Sequence, residues 1–343
     1  MIKRFALKAA LFLSIGFALA AALAYAAHAI WPDSVSNEYA DYQLQVRQLR
    51  EQADEIEALS VGNSHSLALD FETLGQRGYH LWRPSGDLFE ARYQLEALVP
   101  SLPNVHTVYI STSYGLFRWD NGADPEREFI RQEMYSILPA ATPLPGDLDN
   151  FMLGKLRSVF PFDYLIRADH WKNVFRGLLV GREVPPQADR FRRETDGQDL
   201  NTRFVECTLL SDEELAEAAE RDVAAYRGRM STMAAGNTHL QRDTYHTTVE
   251  LIRFLQERDI RVVFYTPPYY ESYIKLSDPA MIEEMKQIMG RLQQEYGVEY
   301  YDLSADEELI SDARLFLNTD HLNLCGARVF STRLNQLMQS HNR

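Results

Sequence analysis

The stretch Ile56-Glu57-Ala58-Leu59-Ser60-Val61-Gly62-Asn63-Ser64-His65-Ser66 runs from an apolar segment into a glycine and then a knot of small polar residues. Residues 56–61 read as a short strand, Gly62 as a tight turn, and the chain from Leu67 onward as the start of a helix. A strand that feeds a helix through a glycine turn opens an α/β unit.

Working outward, the same alternation recurs. Residues 105–111 (Val-His-Thr-Val-Tyr-Ile-Ser) form a second expected strand, with a helix over Leu88–Leu98 before it. After Asn237 come an amphipathic helix over 245–257 and a buried strand over 261–266 that stops at Pro267-Pro268. A helix over 281–296, a strand over 297–302 and a last helix over 325–339 follow. Strands alternating with helices predict a parallel sheet covered by helices on both faces. Between the two regular parts lies an irregular middle, residues 117–235, which reads as an insertion with the character of a lid. It holds a proline-rich patch (138–145), an aromatic segment (160–164), a polar run (189–201) and an acidic helix from Ser211. Ser211 with Glu214 three residues later fits a capping box, and that helix reads as a solvated face.

Upstream, residues 1–8 carry three positive charges and no negative one, and residues 9–31 contain no Asp, Glu, Lys or Arg. Such a run spans about 30 Å of hydrocarbon as a helix. Positive charge ahead of it keeps the N-terminus in the cytoplasm and sends the body outward. The small residues of 24–29 also offer signal-peptide cleavage sites. The uncleaved anchor is preferred because the run exceeds the roughly 7–15 apolar residues of a signal core. Residues 32–56 then read as a polar break and a stalk helix, with Tyr42, Val46, Leu49, Ala53 and Ile56 at three- and four-residue steps. The organisation expected is therefore anchor (1–31), stalk (32–56) and body (57–343).

The 343 residues carry a net charge of −14. That balance argues against nucleic acid as a partner, which needs clustered Lys and Arg. No HExxH or paired CxxC motif occurs, so neither a metal nor any other cofactor is expected. The two cysteines, Cys207 and Cys325, read as separate small core residues, with a disulfide as the alternative that an oxidising compartment allows.

In an open parallel sheet, ligands bind beyond the carboxyl ends of the strands. Three polar clusters fall there: residues 62–66, residues 111–114 and residues 318–323. Ser64 follows a strand on a glycine turn, where its hydroxyl is exposed and backbone N–H groups face a developing oxyanion. A helix-capping role for Ser64 or Ser66 fits the same local pattern. A serine nucleophile needs a base. His321 lies in Phe316-Leu317-Asn318-Thr319-Asp320-His321-Leu322-Asn323, where Asn318 or Asp320 can fix its tautomer.

Gly62-Asn63-Ser64-His65-Ser66 resembles the first block of the SGNH/GDSL hydrolases. Asp320-His321-Leu322-Asn323-Leu324-Cys325-Gly326-Ala327 is similar to their last block. Within that superfamily the likeness is to the extracytoplasmic group of polysaccharide O-acetyltransferases and D-alanyl-lipoteichoic acid transfer proteins, over residues 57–115 and 237–343. The resemblance implies a three-layer, flavodoxin-like α/β fold, with Ser64 as nucleophile and His321 as base. The family's acid falls at Asn318, so Asp320, or Asp302 at a strand end, is the substitute. Gly86 resembles the oxyanion glycine, or is a turn residue before the helix at Leu88. The third block's Asn is missing, and Ser111 or Ser113 stands in for it. From the residues themselves, Tyr269 among the aromatics after Pro268 reads either as a cleft residue that stacks on sugar rings or as ordinary loop packing, and His65 either as a substrate contact or as a capping and packing residue.

The function implied is a serine esterase or acyltransferase. It would be anchored in the inner membrane by one span, with its body facing the periplasm or exterior. It would act on acylated glycans or small acyl esters, with a membrane-bound acyl-transfer partner. A catalytically degenerate scaffold for envelope or polysaccharide assembly is the alternative.

Overall fold

The computed structural model describes residues 37–124, 127–138, 142–144, 146–159, 210–236 and 240–341, together with residues 8, 11–12, 14–20 and 22–23. Among them no helix is long and apolar enough to cross a membrane. The expected anchor, the aromatic segment at 160–164 and the polar run at 189–201 lie wholly or largely outside the described residues. By internal contacts the chain forms two units, residues 1–44 with 129–190 and residues 45–128 with 191–343.

The larger unit is built on five strands: β1 (Ala58–Gly62), β2 (Gly78–Trp82), β3 (Thr107–Ser111), β4 (Arg261–Thr266) and β5 (Glu299–Asp302). Their order is β2-β1-β3-β4-β5 and every pairing is parallel. This is a doubly wound order, and the chain reverses direction across the sheet between β1 and β3. Parallel strands buried on both faces need continuous apolar side chains. Leu59, Val61, Tyr79, Leu81, Val108, Ile110, Val263, Phe264 and Tyr265 meet that need, all buried. The expected strands are present, with no end displaced by more than two residues. β2 was not anticipated, because Gly-Tyr-His-Leu-Trp is short and carries a histidine in its middle.

The longer helices are α1 (Asn37–Glu51), α2 (Leu88–Leu98), α3 (Glu128–Ile137), α4 (Leu148–Val159), α5 (Asp212–Gly236), α6 (Leu240–Gln256), α7 (Pro279–Tyr296) and α8 (Leu324–His341), of which α3 and α4 belong to the smaller unit. Within the larger unit α2 and α6 pack on each other and on β1 and β4. Phe330, Leu334 and Met338 of α8 join Tyr109, Val263 and Tyr265 in one apolar cluster. A capping box at Asp87 and Glu90 starts α2 at the residue expected.

The stalk reading is corrected from Gln45 onward. Val46 and Leu49 are buried, each contributing about 1.5–3 kcal/mol relative to exposure. The Gln45 side-chain carbonyl accepts the Trp82 N–H at 3.2 Å, and Tyr79 donates its hydroxyl to the Gln45 main-chain carbonyl at 2.7 Å. Helix α1 thus covers the β2 edge, which an isolated stalk would leave open.

In the smaller unit Asp147 ties α3 to α4. It accepts from the Tyr135 hydroxyl at 2.6 Å and from Arg131 at 3.1 Å, while Lys155 of α4 donates to the Tyr135 and Leu138 carbonyls. The expectation of two separate cysteines is also corrected: Cys325, at the start of α8, is in a disulfide. Cys207, the chain's other cysteine, lies outside the described residues.

Candidate active site

Local chemistry explains why the chain turns sharply after β1. Gly62 has φ +132°, and a Cβ there would sit 2.7 Å from Ser111 Oγ at the end of β3. Only glycine permits both that backbone and that approach. Asn63 then caps the short 3-10 turn Ser64–Ala68, its Oδ1 accepting the His65 N–H at 3.0 Å. Ser64 is the first residue of that turn, where a helical N–H has no intrahelical acceptor.

The second loop is closed just as tightly. Phe316 and Leu322 form an antiparallel bridge, and Leu317 N–H donates to the His321 carbonyl at 2.8 Å. Asn323 donates from its side chain to Arg314 O at 2.7 Å and accepts the Gly326 N–H at 2.9 Å, which caps α8. Inside the loop, Asn318 Oδ1 accepts the Asp320 and His321 N–H groups at 3.2 and 2.8 Å. Tyr270 N–H donates to Thr319 O at 2.9 Å and ties the loop to the segment after β4.

These two loops meet. Ser64 Oγ lies 2.6 Å from His321 Nε2, although 257 residues separate them. His321 Nδ1 lies 2.7 Å from Asp320 Oδ1 and 3.0 Å from Asn318 Oδ1. The imidazole is therefore held at both nitrogens, with a full negative charge on the far side from the serine. Burial alone would raise Asp320, but the charge and hydrogen bond of His321 outweigh it and hold the carboxyl at about 2. For His321 burial works downward, while Asp320, with Asp222 beyond it, lifts the ring above the usual imidazole value. Asp302 is not part of this arrangement. Its Oδ1 accepts from Ser304 N–H and Oγ at 3.0 and 2.5 Å, as a strand-end turn former does.

The other expected residues divide. Ser113 lines the cleft beside Ser64 and Ser111 does not. Both bracket Asn63: Ser111 Oγ donates to Asn63 Oδ1 and Asn63 Nδ2 donates to Ser113 Oγ, each at 3.3 Å. The serines thus orient an amide that itself lines the cleft, and Asn63 is a donor that reading from the third block missed. Gly86 also lines the cleft, and a Cβ there would meet Gly62 O at 2.8 Å. Its N–H, however, donates to Arg83 O at 3.0 Å within the turn, so it is engaged rather than aimed at an oxyanion. Tyr269 is fully buried, stacked on Tyr114 (4.8 Å between centroids) and Tyr273 (5.3 Å), and edge-on to His65 at 5.4 Å. It forms the cleft wall behind His65. His65 lies flat against His321, and the donor atoms of His65, Asp320 and His321 fall within 4.8 Å of one another. Both His321 nitrogens are engaged in hydrogen bonds.

The cleft itself has a volume of about 310 Å³. Its other wall is α5, the helix read from sequence as a solvated acidic face. That reading is corrected. Leu215, Ala219, Val223 and Met230 are buried, and Asp222, Ala225, Tyr226 and Arg229 line the cleft at helical spacing. Tyr226 stacks on Trp119, 5.3 Å between centroids and 9° between planes, and donates its hydroxyl to Tyr114 O. Asp222 accepts from Thr319 Oγ1 at 2.9 Å, joining α5 to the histidine loop. The apolar 215, 219, 223 and 230 spacing was the signal available in the sequence, masked by the acids between them.

No protein-family model matches this chain, and no curated protein matches it either.

Proposed function

We propose that the protein is a serine esterase or acyltransferase of the SGNH type that works through an acyl-enzyme on Ser64. The observation that carries this reading is the continuous chain Ser64 Oγ–His321 Nε2 at 2.6 Å and His321 Nδ1–Asp320 Oδ1 at 2.7 Å. A nucleophile within reach of a base that is itself oriented by a carboxylate is the arrangement acyl transfer requires. The doubly wound strand order, with Ser64 at its switch point, is consistent with that fold family.

In the reaction, Ser64 Oγ attacks the ester carbonyl carbon as His321 Nε2 takes the hydroxyl proton. Asp320 stabilises the resulting imidazolium. The Ser64 N–H and the Asn63 amide are the donors proposed for the oxyanion. Collapse breaks the bond to the leaving alcohol, which receives the proton from His321. A second hydroxyl, from water or from a sugar, then attacks the acyl-enzyme and yields its proton to His321, and Ser64 is regenerated.

Acylated glycans outside the cytoplasm are the substrate class we favour. The cleft offers Trp119, Tyr226, Tyr114 and Tyr273 as apolar walls, suited to sugar rings. A disulfide at Cys325 fits an oxidising compartment. Leu11, Phe12 and Leu19 of the uncharged N-terminal run are exposed, as residues that face lipid would be, which supports a single-pass anchor in the inner membrane. The scaffold alternative rests on Asn318 standing where an acid was expected and on the missing Asn of the third block; the carboxylate of Asp320 at His321 Nδ1 favours the enzyme.

The full chain in detergent, treated with a fluorophosphonate probe, should label on Ser64 and lose all labelling in Ser64→Ala. A folded wild-type protein that neither labels nor cleaves 4-nitrophenyl acetate would overturn the reading.

A further inference from the structure

His65 takes no part in the reaction as described, yet it touches most of the machinery. The residue is 8% exposed. Its ring is parallel to that of His321, 4.6 Å between centroids and 7° between planes. Its Nε2 is 4.0 Å from Asp320 Oδ2, the carboxylate oxygen that His321 does not use. Tyr269 closes the opposite side edge-on, and Asn63 fixes the backbone through the His65 N–H. Its Nδ1 is buried with no hydrogen-bond partner among the described residues. Burying an unpaired ring nitrogen is unfavourable, so filling space does not account for the residue.

We propose that His65 is a positioning residue: its flat ring, stacked on His321, holds that imidazole in the plane that meets Ser64 Oγ at one nitrogen and Asp320 at the other. This rests on the Ser64–His321 reading above. The ring is suited to the part because it carries no charge. Burial first, and the neighbouring His321 second, hold it down to about 3. When His321 takes the serine proton, His65 offers it a neutral aromatic face, which attracts a cation, rather than a second positive charge. The other groups that face His321 are Ser64, Asn318 and Asp320, with Asp222 from α5 acting at longer range. These groups meet the nitrogens at the edge of the ring, and the stack adds a contact against its face.

The test separates a ring from a proton carrier and from simple filling. His65→Phe keeps a flat ring without a titratable nitrogen, and His65→Leu keeps apolar bulk without a ring. Fluorophosphonate labelling of full-length protein should stay within about threefold of wild type in His65→Phe. It should fall about tenfold or more in His65→Leu, as when a catalytic group loses alignment. Equal losses in both, or no loss in His65→Leu, overturn the proposal. A second readout does not need turnover: with ring-labelled histidine, the His321 carbon-bound protons should be shifted upfield by the stacked ring in wild type and His65→Phe, and should relax downfield in His65→Leu. Absence of that difference also overturns it. If wild type fails to label while the ring shifts behave as expected, the acyl-transfer reading falls and the stacking stands. Should His65→Leu not fold, His65→Gln takes its place as the ringless variant.

Discussion

One wall of the cleft is made of two short loops, residues 62–66 and 316–323, and the facing wall is one face of the long helix α5. The loops hold their side chains by dense local bonding. Asn63, Asn318 and Asn323 each accept main-chain N–H groups within three residues. The helix places Asp222, Tyr226 and Arg229 by periodicity, and longer-range contacts steady it: Tyr226 on Trp119 and Tyr114, and Asp222 on Thr319. In the proposed reaction the first wall holds the Ser64–His321–Asp320 geometry and the second shapes what binds.

The sharpest way to break this comparison is at the carboxylate. Asp320→Asn leaves the loop closed but removes the charge that steadies a protonated His321. Labelling and ester cleavage should fall roughly 10²–10⁴-fold. Because Asp320 raises His321, the acid limb of the residual activity should also move to lower pH. Asn318→Asp, which only adds a carboxylate beside the existing one, should keep activity within about fivefold, the size of an effect that leaves the Ser64–His321–Asp320 chain intact. The reverse ranking of these two variants would mean that position 318, not 320, supplies the orienting group.

The helix wall should respond differently. Tyr226→Ala removes the ring stacked on Trp119 without touching Ser64, His321 or Asp320. Small reagents meet only the loops, so fluorophosphonate labelling should change less than about threefold. A bulky ester such as glucose pentaacetate meets both walls, and its KM should rise about ten- to thirtyfold with kcat little altered, the pattern of lost uniform binding. Equal effects on the small and the bulky reagent would erase the distinction between the walls.

The same contrast explains what could be read in advance. The strand–glycine–polar cluster at 56–66 and the segment 316–323 pack several constraints into a few residues, so residue identity itself carries the message. Helices α2 and α7 were legible because apolar spacing and caps agree, as at Asp87 and Glu90. β2 was not, since a five-residue strand covered by α1 needs no period-2 alternation. In α5 the buried positions are diluted by acids facing solvent, and nothing in a single helix tells which neighbour it will meet. Asn63 was passed over for a different reason: its amide matters because Ser111 and Ser113, about fifty residues away in the chain, orient it. Asn318 and Asp320 were both readable as partners of His321, and the closed loop lets both reach the same ring nitrogen.

The smallest effect concerns stability and again pits the loops against their surroundings. His65 is held near 3 when folded, whereas an unfolded chain protonates it near the usual value of about 6.5. Between those values the unfolded state binds more protons, so folding stability falls as pH falls, by about 1.4 kcal/mol per pH unit from this group. Asp320 adds a loss of the same sign, but only below its ordinary value near 3.8. His321, raised on folding, contributes stability that is fully present below 6.5 and is lost only as pH rises through its folded value. The interval from pH 6 to 4.5 therefore isolates His65 among these three. Urea melts across that interval should show a slope in wild type that flattens in His65→Phe, and the difference between the two proteins should stop changing toward pH 7. Parallel slopes would mean that water or a partner group reaches the His65 ring, and that the loop wall is less sealed than its hydrogen bonds imply.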